Sequence, residues 1–190
     1  LDTTYRGEQI DLVGKLEQQQ RSIEFDTGLL LHTDHRELHV RQITLGGFGE
    51  PWRLLPSADA VVRYSPHRIE LEGVALTRGQ ERVEANGTVA LDASADTPAS
   101  HLDVKATRVN LGDVYQLTTG TARIAGTLDG HVVLAGVLSD PAVDADITIA
   151  DGKVVNVPFS SVTATAKMAS KMVDVNARLV EQGGATFDVT

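Results

Sequence analysis

An apolar–polar alternation of period two recurs along nearly the whole chain, and it limits the fold more than any other feature. Val83, Ala85, Gly87, Val89 and Leu91 alternate with Arg82, Glu84, Asn86, Thr88 and Ala90. Leu102, Val104 and Ala106 alternate with His101, Asp103, Lys105 and Thr107. Ile124, Gly126 and Leu128 lead to Asp129-Gly130, and Val132, Leu134, Gly136 and Leu138 follow. Val143, Ala145, Ile147 and Ile149 lead to Asp151-Gly152; Val162, Ala164, Ala166 and Met168, then Val173, Val175, Ala177 and Leu179, close the series. A strand sends successive side chains to opposite faces, so each of these runs has one apolar and one polar face. A sheet built from them must fold into a sandwich, close into a barrel or curl into a trough.

The first third reads the same way in shorter pieces: Ile23 and Phe25, Leu38 and Val40 with Ile43 and Leu45 just after, then Ile69 and Leu71. Turn signals stand at Gly46-Gly47, Pro66-His67, Arg78-Gly79, Asp129-Gly130, Asp140-Pro141, Asp151-Gly152 and Gly183-Gly184. The resulting beat, roughly 10 to 12 residues per strand and turn, is that of an all-β array of many short strands. The best helical candidate is Leu12 to Arg21, a short piece around Gln18-Gln19-Gln20. Segment 92–100 reads as a long hairpin loop because alternation resumes on both sides, with a sub-boundary as its alternative. The chain is otherwise one β-repeat unit over residues 1–190. It starts at Leu1 and stops within an apparent strand at Phe187-Asp188-Val189-Thr190, as expected for a segment of a longer protein with its targeting signal elsewhere.

Composition excludes several function classes. Twenty-six acidic residues against 17 basic ones, net −9, with no basic stripe, argue against a nucleic-acid partner. No cysteine means no disulfide, thiolate metal site or cysteine nucleophile. No apolar run approaches the length of a membrane-spanning helix.

Catalytic and metal motifs are equally thin, and no enzyme is expected. His35, Glu37 and His39, within His32-Thr33-Asp34-His35-Arg36-Glu37-Leu38-His39, would share one face of a strand. Zinc accepts imidazole and carboxylate, but on a straight strand His35 and His39 would stand about 13 Å apart and Arg36 adds an unfavourable charge, so no metal is expected. The acid pairs Glu81/Glu84 and Asp144/Asp146 read as solvated carboxylates with ordinary pKa values. Gly46-Gly47-Phe48-Gly49-Glu50-Pro51 lacks the Lys-Ser or Lys-Thr of a phosphate loop and reads as a turn. Asn86-Gly87 resembles a hairpin signal, but alternation passes through it, so Gly87 is expected in mid-strand, facing inward like Gly126 and Gly136. Such glycines ease curvature and leave room for a ligand close to the backbone, or mark a β-bulge with no ligand.

From Leu102 onward the chain resembles the translocation and assembly module family, TamB, and its AsmA-like relatives. The matching residues are Ile124-Ala125-Gly126-Thr127-Leu128, Leu134-Ala135-Gly136-Val137-Leu138-Ser139-Asp140-Pro141, Ala145-Asp146-Ile147-Thr148-Ile149-Ala150-Asp151-Gly152 and Val157-Pro158-Phe159. A weaker match runs from Trp52-Arg53-Leu54 through Ile69-Glu70-Leu71 to Ala85-Asn86-Gly87-Thr88-Val89.

The resemblance implies an elongated, curled antiparallel meander, a taco-like trough with a hydrophobic inner face, in the periplasm of a parent protein anchored in the inner membrane. It implies phospholipid acyl chains as ligand, a role in outer-membrane biogenesis and, through the parent chain, an outer-membrane barrel partner. The lining expected from alternation phase is Val83, Val89, Leu102, Val104, Ile124, Leu128, Val132, Leu134, Leu138, Ile147 and Ile149. No cofactor is implied. The alternative is a structural or adhesive β-sandwich of a secreted repeat protein, with the same stripe sealed as a dry core.

Overall fold

A computed structural model describes residues 2–7, 9–18, 21–47, 49–56, 60–93, 99–119, 123–155 and 157–190. The strands are β1 (Asp2–Arg6), β2 (Gln9–Gln18), β3 (Arg21–Leu31), β4 (Arg36–Gly46), β5 (Trp52–Leu54), β6 (Ala60–Tyr64), β7 (Arg68–Arg78), β8 (Glu81–Ala90) and β9 (Ser100–Asn110). After helix α1 (Leu111–Thr119) come β10 (Ile124–Val137), β11 (Asp140–Val154), β12 (Val157–Ala169), β13 (Met172–Glu181) and β14 (Thr186–Val189). Strand accounts for 78% of the residues, in a single 14-stranded antiparallel sheet that follows chain order. Two departures are described: β5 and β6 share a lane, with β4 and β7 pairing with β6 along one half of their length and with β5 along the other, and Val137 of β10 makes a parallel bridge to Ala90 of β8.

The all-β meander agrees with the alternation, but its strands are longer than expected, up to the 15 residues of β11. The helical candidate Leu12–Arg21 is strand: Leu12 to Gln18 belong to β2 and Arg21 opens β3, while Gln19 and Gln20 lie outside the described residues. Leu12, pairing with Thr27, and Leu16, pairing with Ile23, obey period two, and cross-strand pairing overrides local propensity. The loop reading of 92–100 falls partly on residues 94–98, which lie outside the described residues; β8 and β9 on either side pair antiparallel.

Two expected turns are also mid-strand. Asp129-Gly130 lies inside β10 and Asp151-Gly152 inside β11. Both mark β-bulges. Opposite Asp129, β9 carries one extra residue between Ala106 and Val109, where Arg108 takes a left-handed φ of 53° and donates its N–H to Asp129 Oδ1 at 3.0 Å. Asn86 does the same for β7: the register slips between Leu71 and Val74, Gly73 has φ 63°, and its N–H reaches Asn86 Oδ1 at 2.8 Å. An Asx-Gly pair thus serves here as a bulge partner, its side chain accepting the N–H that the ladder cannot use.

Helix α1 was not read from the sequence, although Asn110 and Asp113 carry an N-cap signal. Asn110 Oδ1 accepts the Asp113 N–H at 3.3 Å. Asp113 also meets Arg78 at 2.8 Å, and Arg78, 6% exposed, bonds Glu81 through Nε and Nη2 at 2.8 Å each and lies 5.0 Å over the Trp52 ring. Farther along, Arg21 Nη2 donates to the Gln116 carbonyl at 3.5 Å. That contact joins β3 to the helix that follows β9, five lanes away in the sheet, while α1 otherwise touches β9 and β10. The small core of Val40, Leu54 and Ala60, with Leu38, Ile43, Val74 and Leu76 around it, sits where β4 and β7 enclose the shared lane.

Candidate functional site: one apolar sheet face

Directly paired residues of a sheet point to the same side, so the register can be followed from strand to strand. Ile10 pairs with Leu29, Leu29 with Leu38, Leu38 with Val62 and Val62 with Leu71. Leu71 pairs with Gly87, Gly87 with Leu102, Leu102 with Leu134, Leu134 with Val143, Val143 with Met168 and Met168 with Val173. This row crosses from β2 to β13 without a polar side chain. Parallel rows flank it: Val74, Ala85, Val104, Val132, Ala145, Ala166 and Val175 form one, and Leu76, Val83, Ala106, Gly130, Ile147, Ala164, Ala177 and Val189 another.

The register places Val83, Val89, Leu102, Val104, Leu128, Val132, Leu134, Ile147 and Ile149 on this one face. Ile124 pairs with Val154 beyond the bulge at Gly126, and Leu138 follows the end of β10 with 55% of its surface exposed. All but Leu138 are half-buried, and none is sealed. Towards β13 and β14 the face becomes more open, with Val173 at 60% and Val189 at 61% exposed. Close backbone contacts between described elements run between sheet neighbours and with α1. Several further apolar residues, Ile10, Leu29, Leu38, Val62 and Met168 among them, belong to the same rows and were not assigned to the lining.

The mid-strand glycines serve the backbone. Gly87 has φ 125°, and a Cβ there would stand 1.9 Å from the His101 carbonyl oxygen. Gly126, φ 138°, would meet Ile149 Cγ2 at 2.8 Å. Gly87 and Gly126 both sit at or opposite register slips, so they fit the bulge reading.

A family model described as the TamB C-terminal domain matches residues 72–187. The chain belongs to the TamB family. The match takes in every proposed lining residue and β8 to β13 in full. No curated protein and no solved structure matches the chain. TamB membership makes this an envelope-associated protein of a family with a role in outer-membrane assembly, one not known for enzymatic activity. No described helix is long and apolar enough to cross a membrane.

The opposite face of the TamB sheet is polar, with ion pairs Arg82–Glu84 at 2.6 Å and Lys167–Asp144 at 3.3 Å and a hydrogen bond between His131 and Asp103 at 2.7 Å. Of the acid pairs, Glu81 and Glu84 depart from the solvated, ordinary carboxylates expected. Burial pushes Glu81 up, but hydrogen bonds from Arg78 and the Asn110 N–H, with the Arg78 charge, outweigh it and hold the carboxyl below its usual range. The hydrogen bond from Arg82 lowers Glu84. Both stay ionised, which suits ion pairing and not proton donation.

The histidine cluster also lies on the polar side, outside the matched residues. Its geometry differs from the straight row expected. Only Glu37 and His39 are on β4; His32 and His35 occupy the turn before it, closed by His32 N–H to the His35 carbonyl at 3.1 Å. Their rings stack with centroids 4.5 Å apart. Glu37 is the hub, bonded by Arg63 Nε and, at 3.1 Å, by His39 Nε2, with His32 Nε2 at 3.6 Å and His35 Nε2 at 3.8 Å. Arg63 first, then His39, lowers the Glu37 pKa to about 2.

Proposed function

We propose that the apolar face is a path for phospholipid acyl chains in the periplasm, within a longer protein anchored in the inner membrane. The observation carrying this reading is the unbroken apolar row from Ile10 to Val173, half-buried as far as Met168 and open at Val173. Each acyl methylene moved into water costs about 0.8 kcal/mol, so a long chain crossing uncovered would face a barrier of roughly 10 kcal/mol. A continuous lining removes that barrier. The sheet is thereby a conduit in outer-membrane biogenesis, and docking to an outer-membrane barrel protein belongs to other parts of the parent chain. A sealed sandwich would instead bury these rows against a second apolar layer about 10 Å away.

Leu134→Arg tests the reading. On an open face the guanidinium reaches water, so the fold should remain cooperative while lipid photo-crosslinking from a probe at Val104 or Ile147 is lost. If the variant unfolds, the face is a dry core whose burial cost for a charge is paid in full, and the conduit reading fails.

A further inference from the structure

We propose that His32, His35 and Glu37 form a binding site for one borderline divalent transition-metal ion, with zinc as its type. Their ligand atoms lie within 4.8 Å of one another. Two imidazoles and a carboxylate are a donor set that zinc takes, and a fourth position is left for water. Tetrahedral bonds of 2.0–2.1 Å bring such atoms to about 3.3 Å apart. The adjustment falls on the His32 and His35 side chains of the turn, which close on Glu37 of β4, and the His32–His35 ring stack separates as the ion enters.

The second observation is how the three groups are held. Asp34 Oδ1 lies 2.9 Å from His35 Nδ1. In the tautomer that donates Nδ1–H to this carboxylate, the His35 Nε2 lone pair faces Glu37, 3.8 Å from Oε1. A carboxylate that fixes the tautomer of a histidine from behind is the usual support of a metal-ligating imidazole. Glu37 is oriented in the same way by Arg63 and by the N–H of His39 Nε2. The turn is fixed by Arg36, which donates to the His32 and His35 carbonyls at 3.3 and 3.4 Å.

Arg63 shares its charge among Glu37, Glu72 at 2.7 Å and Glu70 at 3.9 Å, and the Arg36 guanidinium is engaged by the His32 and His35 carbonyls. Metal charge at Glu37 is therefore tolerable. The cluster opens on a cleft of about 660 Å³ that Asp34, His35, Glu37, Arg63 and His67 help to line, so an ion can enter from water. The site is independent of the lipid reading, since Glu37 and His39 point away from the apolar row through Leu38.

Zinc sulfate titrated into the chain against a competing chromogenic chelator at neutral pH tests this. One equivalent should bind and raise Tm, as a ligand of the native state must. His35→Asn and Glu37→Gln should each weaken binding at least tenfold. Asp34→Asn should weaken it about 10- to 100-fold. His101→Asn and His131→Asn should leave it unchanged. Because Glu37→Gln also loosens Arg63, His32→Asn is the companion variant, and circular dichroism confirms the sheet in each. Failure to bind one equivalent, or binding that survives in the His32→Asn/His35→Asn double variant, overturns the proposal.

Discussion

The Oδ1 of Asp129 accepts the backbone N–H of Arg108 across the β9–β10 ladder at 3.0 Å. It holds a bulged residue in a left-handed conformation that a non-glycine residue resists. Asp129→Ala frees that exposed N–H to water. A loss of about 1 kcal/mol in a urea melt is expected. Asn86→Ala should cost a similar amount through Gly73.

Gly87→Ala should be much worse. The added methyl would sit 1.9 Å from the His101 carbonyl oxygen, at a φ of 125° that L residues rarely adopt. The neighbour is backbone and cannot rotate aside, so the strands must part. A loss of about 3 kcal/mol is expected, with β8 and β9 amides exchanging faster. An unchanged melt would mean that β8 passes β9 less closely.

Acid should weaken the fold partly through Glu37. Its folded-state pKa of about 2 lies below the ordinary 4.5. The stabilisation from its ion pairs is therefore present above about pH 4.5 and is lost as pH falls towards 2. In metal-free Glu37→Gln, the slope of urea midpoint against pH should flatten across that window. A slope identical to the parent would show that other carboxylates carry the dependence.

Trp52 is the chain's single tryptophan and lies under the Arg78 guanidinium. Arg78→Leu removes the cation shared by Glu81 and Asp113, leaving two carboxylates without it. A loss of about 3 kcal/mol is expected, together with faster amide exchange in α1 and altered Trp52 emission. Unchanged emission with an unchanged melt would contradict this role for Arg78.

Much of the sheet was legible because alternation is a direct record of sidedness. The phases of Leu102, Val104, Val132 and Leu134 carried over into the register without correction. What misled was local chemistry. Asp129-Gly130 and Asp151-Gly152 have the composition of turns, yet at a bulge the same residues serve a continuous strand. A signal was available: at each slip between paired strands the apolar spacing steps from two to three, as in Val40 to Ile43, Leu71 to Val74 and Ala106 to Val109. The histidine cluster was misread for a related reason. A strand template extended one residue too far kept His35 in the row and left out His32, which only the turn brings round.

Those steps of three give the chain something like a reading frame. Elsewhere in a strand, losing one residue turns every later side chain to the opposite face and would break the apolar row. At Arg41, Glu72-Gly73 or Arg108 the frame already holds one residue too many, and removing it leaves Val40 and Ile43, Leu71 and Val74, or Ala106 and Val109 still on the same side. The bulges are thus the places where strand length can change by one without turning the sheet inside out.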